Sequence, residues 1–569
     1  MINGAEQRER MKMSDTTVRP RPLPRRNLLR AGALSGLTFA ASPFLAACQS
    51  TPPQTTPAET PSFATPSAVR ATQRLTLSWW TDIGYPSPFA FIPLGPGGVV
   101  RTSLLFDTLI WKDAHGIIPW LAERWGISGD GLDYTFTLRP NVPWHDGQPL
   151  TADDVAFSYT YYRAHAFPWG SSDMVASAAV VDARTVRIRL NRPFAPFLEN
   201  VAGLLPILPK HIWEPVGDPL KFSGPDAVIG SGPFRFGSYK EGTGEYQFDA
   251  HAAYFRSRPM VATLRYVLVP LAQGVVGLQT HAADAILAMD YDVVKAFGQG
   301  PNYRTLQTPP FSIMRVIFNV DRPPFDQKAF RQAIAYALDR QQIGERVVHG
   351  NVTLGNPGVI PPGSPWYNPD VVQYAYDPAR ARAMLDGLGF RTDASSMRVM
   401  PDGQPLAVDF LADPAAADAE IVRLMLKEVG IDVRPITADP KTRTEMMKNR
   451  RFGMALTSHI GVGGDPDFLR RWYANQSYNA FEDGNALHNA EFTRLADQQV
   501  VEMEVARRKA LVNQMQVVLA EELPTLALYH RPFYWLYDPN AFQGWFNTWG
   551  GIMDGIPLVD NKIAFLPPA

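Results

Sequence analysis

A histidine beside a carboxylate is a common starting point for proton transfer, and this chain offers one such pair, His145-Asp146. Gly147 follows at once, and His-Asp-Gly behind a strand-like run reads better as a turn in which the carboxylate accepts backbone N–H groups. Ten histidines are spread along the sequence without an HExxH pattern or a close cluster, so no zinc site is expected. There is no GxSxG elbow and no GxxxxGKS/T phosphate loop. These absences predict a non-enzyme without metal or cofactor. The chemistry on offer is recognition: Trp79, Trp80 and Tyr85 around Asp82 could stack on a solute and orient it, or the two indoles could pack a core.

The single cysteine, Cys48, excludes an intramolecular disulfide or a multi-thiolate site. Its context gives it another use. Residues 1–30 are polar and carry Arg19, Arg21, Arg25, Arg26 and Arg30; residues 31–47 are almost uncharged and rich in Ala, Gly and Leu. A basic flank, a short apolar run and small residues before a break describe an export signal over 1–47. Arg25-Arg26-Asn27-Leu28-Leu29 resembles a twin-arginine export motif, with Pro24 where Ser or Thr is usual. Leu45-Ala46-Ala47-Cys48 resembles a bacterial lipobox. A diacylglycerol thioether on Cys48 would supply the two acyl chains that stable anchoring needs. The expected location is the outer face of the cytoplasmic membrane or the periplasm. The Pro/Thr/Ser tract that follows completes a linker over 48–73.

At 569 residues the chain exceeds one simple domain, and its 46% hydrophobic and 19% charged residues are ordinary for a globular protein. The net charge of −1 hides an asymmetry. Residues 1–47 hold eight of the 54 Lys/Arg and three of the 55 Asp/Glu, so the remainder is acidic. That balance carries no footprint for nucleic acid.

Strand-like and helix-like segments alternate without an internal repeat, which argues α/β or α+β. Leu75 to Trp80 reads as a strand entering a loop at 82–86. Thr151 and Asp154 have capping-box spacing ahead of Val155, Tyr159 and Tyr162 on one helical face. Asp326 is the expected cap of a second helix, whose stripe is Phe330, Ala333, Ile334, Ala337 and Leu338.

Several ordered motifs carry a family resemblance. LAERW at 121–125, DGLDYTFTLR at 130–139, HDG at 145–147 and TADDV at 151–155 come first. IGSGPF at 229–234, FNVDRPPF at 318–325, RQAIAYALDR at 331–340 and YDP at 376–378 follow. Together, over roughly residue 74 to the C-terminus, they resemble the family 5 extracellular solute-binding proteins, the dipeptide- and oligopeptide-binding group of bacterial ABC importers. The resemblance implies an α/β, two-lobed periplasmic-binding-protein fold of class II with an extra subdomain and a ligand cleft between the lobes. It places lobe I at 74–312 plus 531–569, the subdomain at 101–226 and lobe II at 313–530, with hinge strands at 311–314 and 527–530. The implied partners are a small solute, an ABC permease with its ATPase subunits, and the membrane through the lipid anchor. The chain itself is expected to be a monomer.

The resemblance also places the ligand site. Trp79, Trp80, Asp82 and Tyr85 correspond to the first cleft-lining segment, and the hinge strands offer Arg315, Tyr529 and His530. His459, Ile460, Gly461 and Val462 align with the segment where peptide-binding members hold the ligand's α-amino group. Val462 stands where those members carry Asp, and His459 where they carry Trp. A buried ammonium without its carboxylate would cost several kcal/mol. Peptides therefore remain one expectation, and an oligosaccharide, an opine or a metal chelate another. A ligand-presenting sensor shares all these features, and an exported hydrolase is the remote alternative.

Overall fold

The computed structural model describes residues 71–92, 95–298, 300–349, 351–413, 415–474 and 487–568. The twin-arginine stretch, Cys48 and the Pro/Thr/Ser tract lie outside them. Two sheets organise the chain, each forming a lobe with its own helices. The first has seven strands, in spatial order Arg304–Gln307, Tyr534–Tyr537, Ala285–Ala288, Thr72–Trp79, Val261–Leu268, Glu245–Ala250 and Phe234–Lys240. Thr72–Trp79 is central and parallel to both neighbours, and its last five residues are all buried. That continuous burial is what a strand covered on both faces requires.

The second sheet orders Thr353–Leu354, Thr525–Arg531, Ser312–Phe318, Met454–Ile460, Ala407–Leu411 and Asp432–Ile436. The chain passes between the sheets at residues 308–311 and again at 532–533. Thr308 N–H donates to the Phe533 carbonyl at 2.9 Å, and Phe533 N–H donates to Thr308 Oγ1 at 2.8 Å. The two crossings therefore run side by side, a geometry suited to bending without separating. Beyond them Ser312–Phe318 and Thr525–Arg531 pair directly, with Ile313 opposite His530.

A smaller antiparallel sheet of Ala122–Ile127, Asp133–Leu138, Thr185–Leu190 and Val175–Asp182 packs against the helix Ala152–Ala164. That helix starts with the expected capping box of Thr151 and Asp154, and Val155, Tyr159 and Tyr162 are buried. The second helix spans Lys328–Ala337 with Gln327, not Asp326, at its N-cap. The Asp326 N–H instead closes a turn onto the Arg322 carbonyl at 3.1 Å. Its apolar stripe is buried as the spacing predicts.

The C-terminal segment is clamped by two consecutive buried polar residues, Asn561 and Lys562. Lys562 Nζ donates to Asp107 Oδ1 at 2.6 Å, with both side chains fully buried. Asp107 also accepts from Trp120, Tyr254 and Ser231, and Asn561 accepts from Trp111 and donates to the Lys112 carbonyl. A buried charge persists only when paired and hydrogen-bonded in this way. The clamp fixes the segment whose upstream loop, residues 548–556, reaches the site below.

Candidate functional site

A cavity of about 1120 Å³ lies where loops of the two lobes meet. Its volume sits just above the roughly 300–1,000 Å³ range of small-molecule sites. One wall comes from the ends of the small sheet: Phe167, Trp169 and Met174 before one strand, and Arg192, Phe194 and Leu204 after another. The opposite wall is the end of the strand Met454–Ile460, with Ser458, His459 and Ile460, and the helix Phe468–Tyr473, with Arg470 and Arg471. Asp554 and Ile556 of the C-terminal loop complete it.

The charged groups in this wall are organised in pairs. Arg470 donates to both oxygens of Asp467, at 2.6 and 2.8 Å, with both side chains buried. Gln499 donates to the same carboxylate at 3.0 Å and also holds Arg508, which binds Asp465 through two bonds of 2.6 and 2.7 Å. Asp465 in turn accepts the Asp467 N–H at 2.9 Å, so its role is the turn that starts the helix. Arg471 spans the lobes and binds Asp554 at 2.6 and 3.3 Å. Bidentate pairing of this kind fixes geometry as well as charge.

Among the residues expected from sequence, His459 and Ile460 line this cavity. His459 packs edge-on against Trp472, with ring centroids 4.6 Å apart. Gly461 and Val462 lie one step deeper. Both backbone N–H groups donate to the Phe311 carbonyl, and Val462 is fully buried in an apolar cluster with Ile313 and Phe468. Arg315 is also buried: its guanidinium lies 4.2 Å over the Trp472 ring and donates to Tyr473 Oη at 3.2 Å. Tyr529 and His530 are fully buried. Tyr529 donates to Asp418 at 3.1 Å, and burial drives the His530 imidazole down to about 3.

Trp79, Trp80, Asp82 and Tyr85, the first expected segment, are not among the residues that line this cavity. Trp79 is 2% exposed and stacks on Trp80 at 4.1 Å, while the Arg101 guanidinium sits 4.1 Å over its ring. Burial acts to raise the pKa of Asp82. The Tyr246 hydroxyl at 2.6 Å, the Gly84 N–H and the Tyr239 hydroxyl outweigh it and hold the carboxyl below its ordinary range. Tyr85 packs on Phe236 and Tyr239. These contacts bind the loop 82–85 to its own lobe. Trp169, Arg471 and Asp554 were not read from sequence. Their one visible signal is local: an indole between Pro168 and Gly170, and an aspartate inside the glycine-dense stretch 550–555.

No group of three His, Cys, Asp or Glu side chains able to hold a metal occurs among the described residues. Among them, too, no helix is long and apolar enough to cross a membrane. The chain is 28% identical over 453 residues to heme-binding protein A of Haemophilus influenzae, covering 74% of this chain and 80% of that protein. It is 27% identical over 454 residues to the dipeptide-binding protein of Escherichia coli, covering 73% and 81%. The crystal structure of NikA from Brucella suis in complex with Fe(III)-EDTA superposes with a TM-score of 0.73 at 24% identity, covering 85% of this chain and 99% of that one. A family profile matches residues 116–480, so the chain belongs to the bacterial extracellular solute-binding proteins, family 5.

Proposed function

We propose that this protein captures a peptide or a similar small solute in the cavity between its lobes and delivers it to the permease of an ABC importer. The observation that carries this reading is the cavity itself: about 1120 Å³, walled by both lobes and by aromatic and apolar side chains. Membership of the family and the relatives' names, which include dipeptide and heme binding, support solute capture and leave the ligand class broad. Closure over a solute stabilises the closed form only by the difference in affinity between the two states. The export signal of residues 1–47 and the lipid on Cys48 would keep the protein outside the cytoplasm as a membrane-anchored monomer. The side-by-side crossings at 308–311 and 532–533 support a hinge there, with lobe I on both sides of lobe II in sequence.

The wall favours a solute recognised through its body more than through a free α-amino group. Val462 is fully buried in an apolar cluster, and Asp467 and Asp554 are each bound by an arginine. Phe167, Trp169, Met174 and Ile460 offer stacking and apolar contact. The experiment is a thermal-shift titration of the purified full chain with di- and tripeptides, each beside its N-acetylated form. Native mass spectrometry of the untreated protein identifies any co-purified solute. A hundredfold excess over the dissociation constant stabilises by about 2.7 kcal/mol. Equal shifts from both forms, or shifts from a non-peptide solute, support the reading. A tenfold preference for the free amine overturns the argument from Val462, and catalytic turnover of the solute overturns the binding function.

A further inference from the structure

The lobes touch through a seam in which one glycine answers to the opposite lobe alone. Gly464 follows the strand Met454–Ile460 of the six-stranded lobe, and Gly555 belongs to the C-terminal loop clamped to the other lobe. A methyl group on Gly464 would stand 2.6 Å from the Gly555 nitrogen and 2.7 Å from its Cα. Backbone atoms cannot yield as a flexible side chain can. Gly464 also lies outside the left-handed backbone region, so its own conformation does not call for glycine. What excludes a side chain there is contact with the other lobe. Gly555 is the reciprocal case: at a φ of +74°, a methyl on it would come 2.7 Å from the Gly461 carbonyl oxygen.

The same seam carries direct polar contacts. Arg471 and Asp554 form their two-bond ion pair across it, and the Ala195 N–H donates to the Val500 carbonyl at 2.8 Å. Both partners of the ion pair line the cavity with side chains 23% exposed, so the pair is open enough to respond to salt.

We propose that Gly464, Arg471 and Asp554 are positioning residues for capture: the Gly464–Gly555 contact and the Arg471–Asp554 pair hold the lobes closed through the protein's own atoms. A solute then selects a closed form that the chain already populates. The inference rests on reading the chain as a two-lobed solute binder. Its test contains no solute, so an unproductive ligand screen leaves it standing.

The test is small-angle X-ray scattering on the purified full chain with no solute added, at low salt and at about 1 M salt, where the screening length is roughly 3 Å. Wild type at low salt is expected to scatter as this structure does, with the two lobes in contact. Gly464→Ala is expected to enlarge the radius of gyration while the melting temperature and circular dichroism stay at wild-type values. A role confined to local folding would move the melting temperature instead. Arg471→Asp and Asp554→Arg singly are each expected to open the lobes, high salt to open wild type part way, and the double charge exchange to close them again. Wild type found open at low salt, or Gly464→Ala scattering like wild type, overturns the proposal. If Gly464→Ala does not fold, the charge exchange decides: restored closure supports the proposal, and no restoration overturns it.

Discussion

Asp560→Asn isolates a single buried charge and turns the structure into a pH profile. Asp560 is 1% exposed, and among the described residues neither of its carboxylate oxygens has a hydrogen-bond partner. Burial pushes its pKa up to about 7, against the pull of the Arg101 guanidinium. Arg101 is itself fully buried, held 4.1 Å over Trp79 and 3.6 Å over Tyr266. The sign follows from proton counting. Between about pH 4 and pH 7 the folded chain holds a proton on Asp560 that the unfolded chain has lost, so stability falls as pH rises through that window. Integrated from pH 5 to pH 8, this one group removes on the order of 2–3 kcal/mol. Asparagine has nearly the same shape and does not titrate. The assay is urea unfolding of wild type and Asp560→Asn at pH 5 and pH 8. The two are expected to be nearly equal at pH 5, with the variant more stable by on the order of 2–3 kcal/mol at pH 8. A variant destabilised equally at both pH values would refute the reasoning, because Asp560 would then serve Arg101 as an ionised partner throughout.

Two further outcomes follow from the cavity wall. Val462→Asp places a carboxylate in a fully buried apolar cluster, so it is expected to cost several kcal/mol in urea unfolding without creating affinity for free-amine peptides. A folded variant that gains amine-dependent peptide binding would show that the position does reach the solute. Asp467→Ala deprives the buried Arg470 of its two-bond carboxylate and is expected to cost about 3–5 kcal/mol. A loss under about 1 kcal/mol would show that the network through Gln499 and Arg508 carries the site without Asp467.

The capping box at Thr151 and Asp154 and the helical stripe from Phe330 were legible because both are local, set by spacing within one or two turns. The cap at Gln327 was less legible, because a favourable Asp326 lost to the turn that its own N–H makes with Arg322. The cavity was legible at one corner, His459 and Ile460, where the chain runs out of a strand. Tyr529 and His530 lie on a strand flanked on both sides, and strand-like composition does not say which residues face a cavity and which a packed core.

By itself the sequence determined the class of molecule. Its ordered motifs resemble those of one solute-binding family, and that resemblance implies a two-lobed binder, since motifs are properties of consecutive residues. The tertiary structure decided the walls of the site. Arg471 meets Asp554 across 83 positions, and Trp169 lines the same cavity as Ile460, nearly 300 positions away, an arrangement set by how two lobes dock. It also decided what holds Trp79 and Asp82 to their own lobe, because only the fold brings Arg101, Tyr239 and Tyr246 to them. A cavity belongs to the space between distant segments, and no short stretch of sequence encodes it.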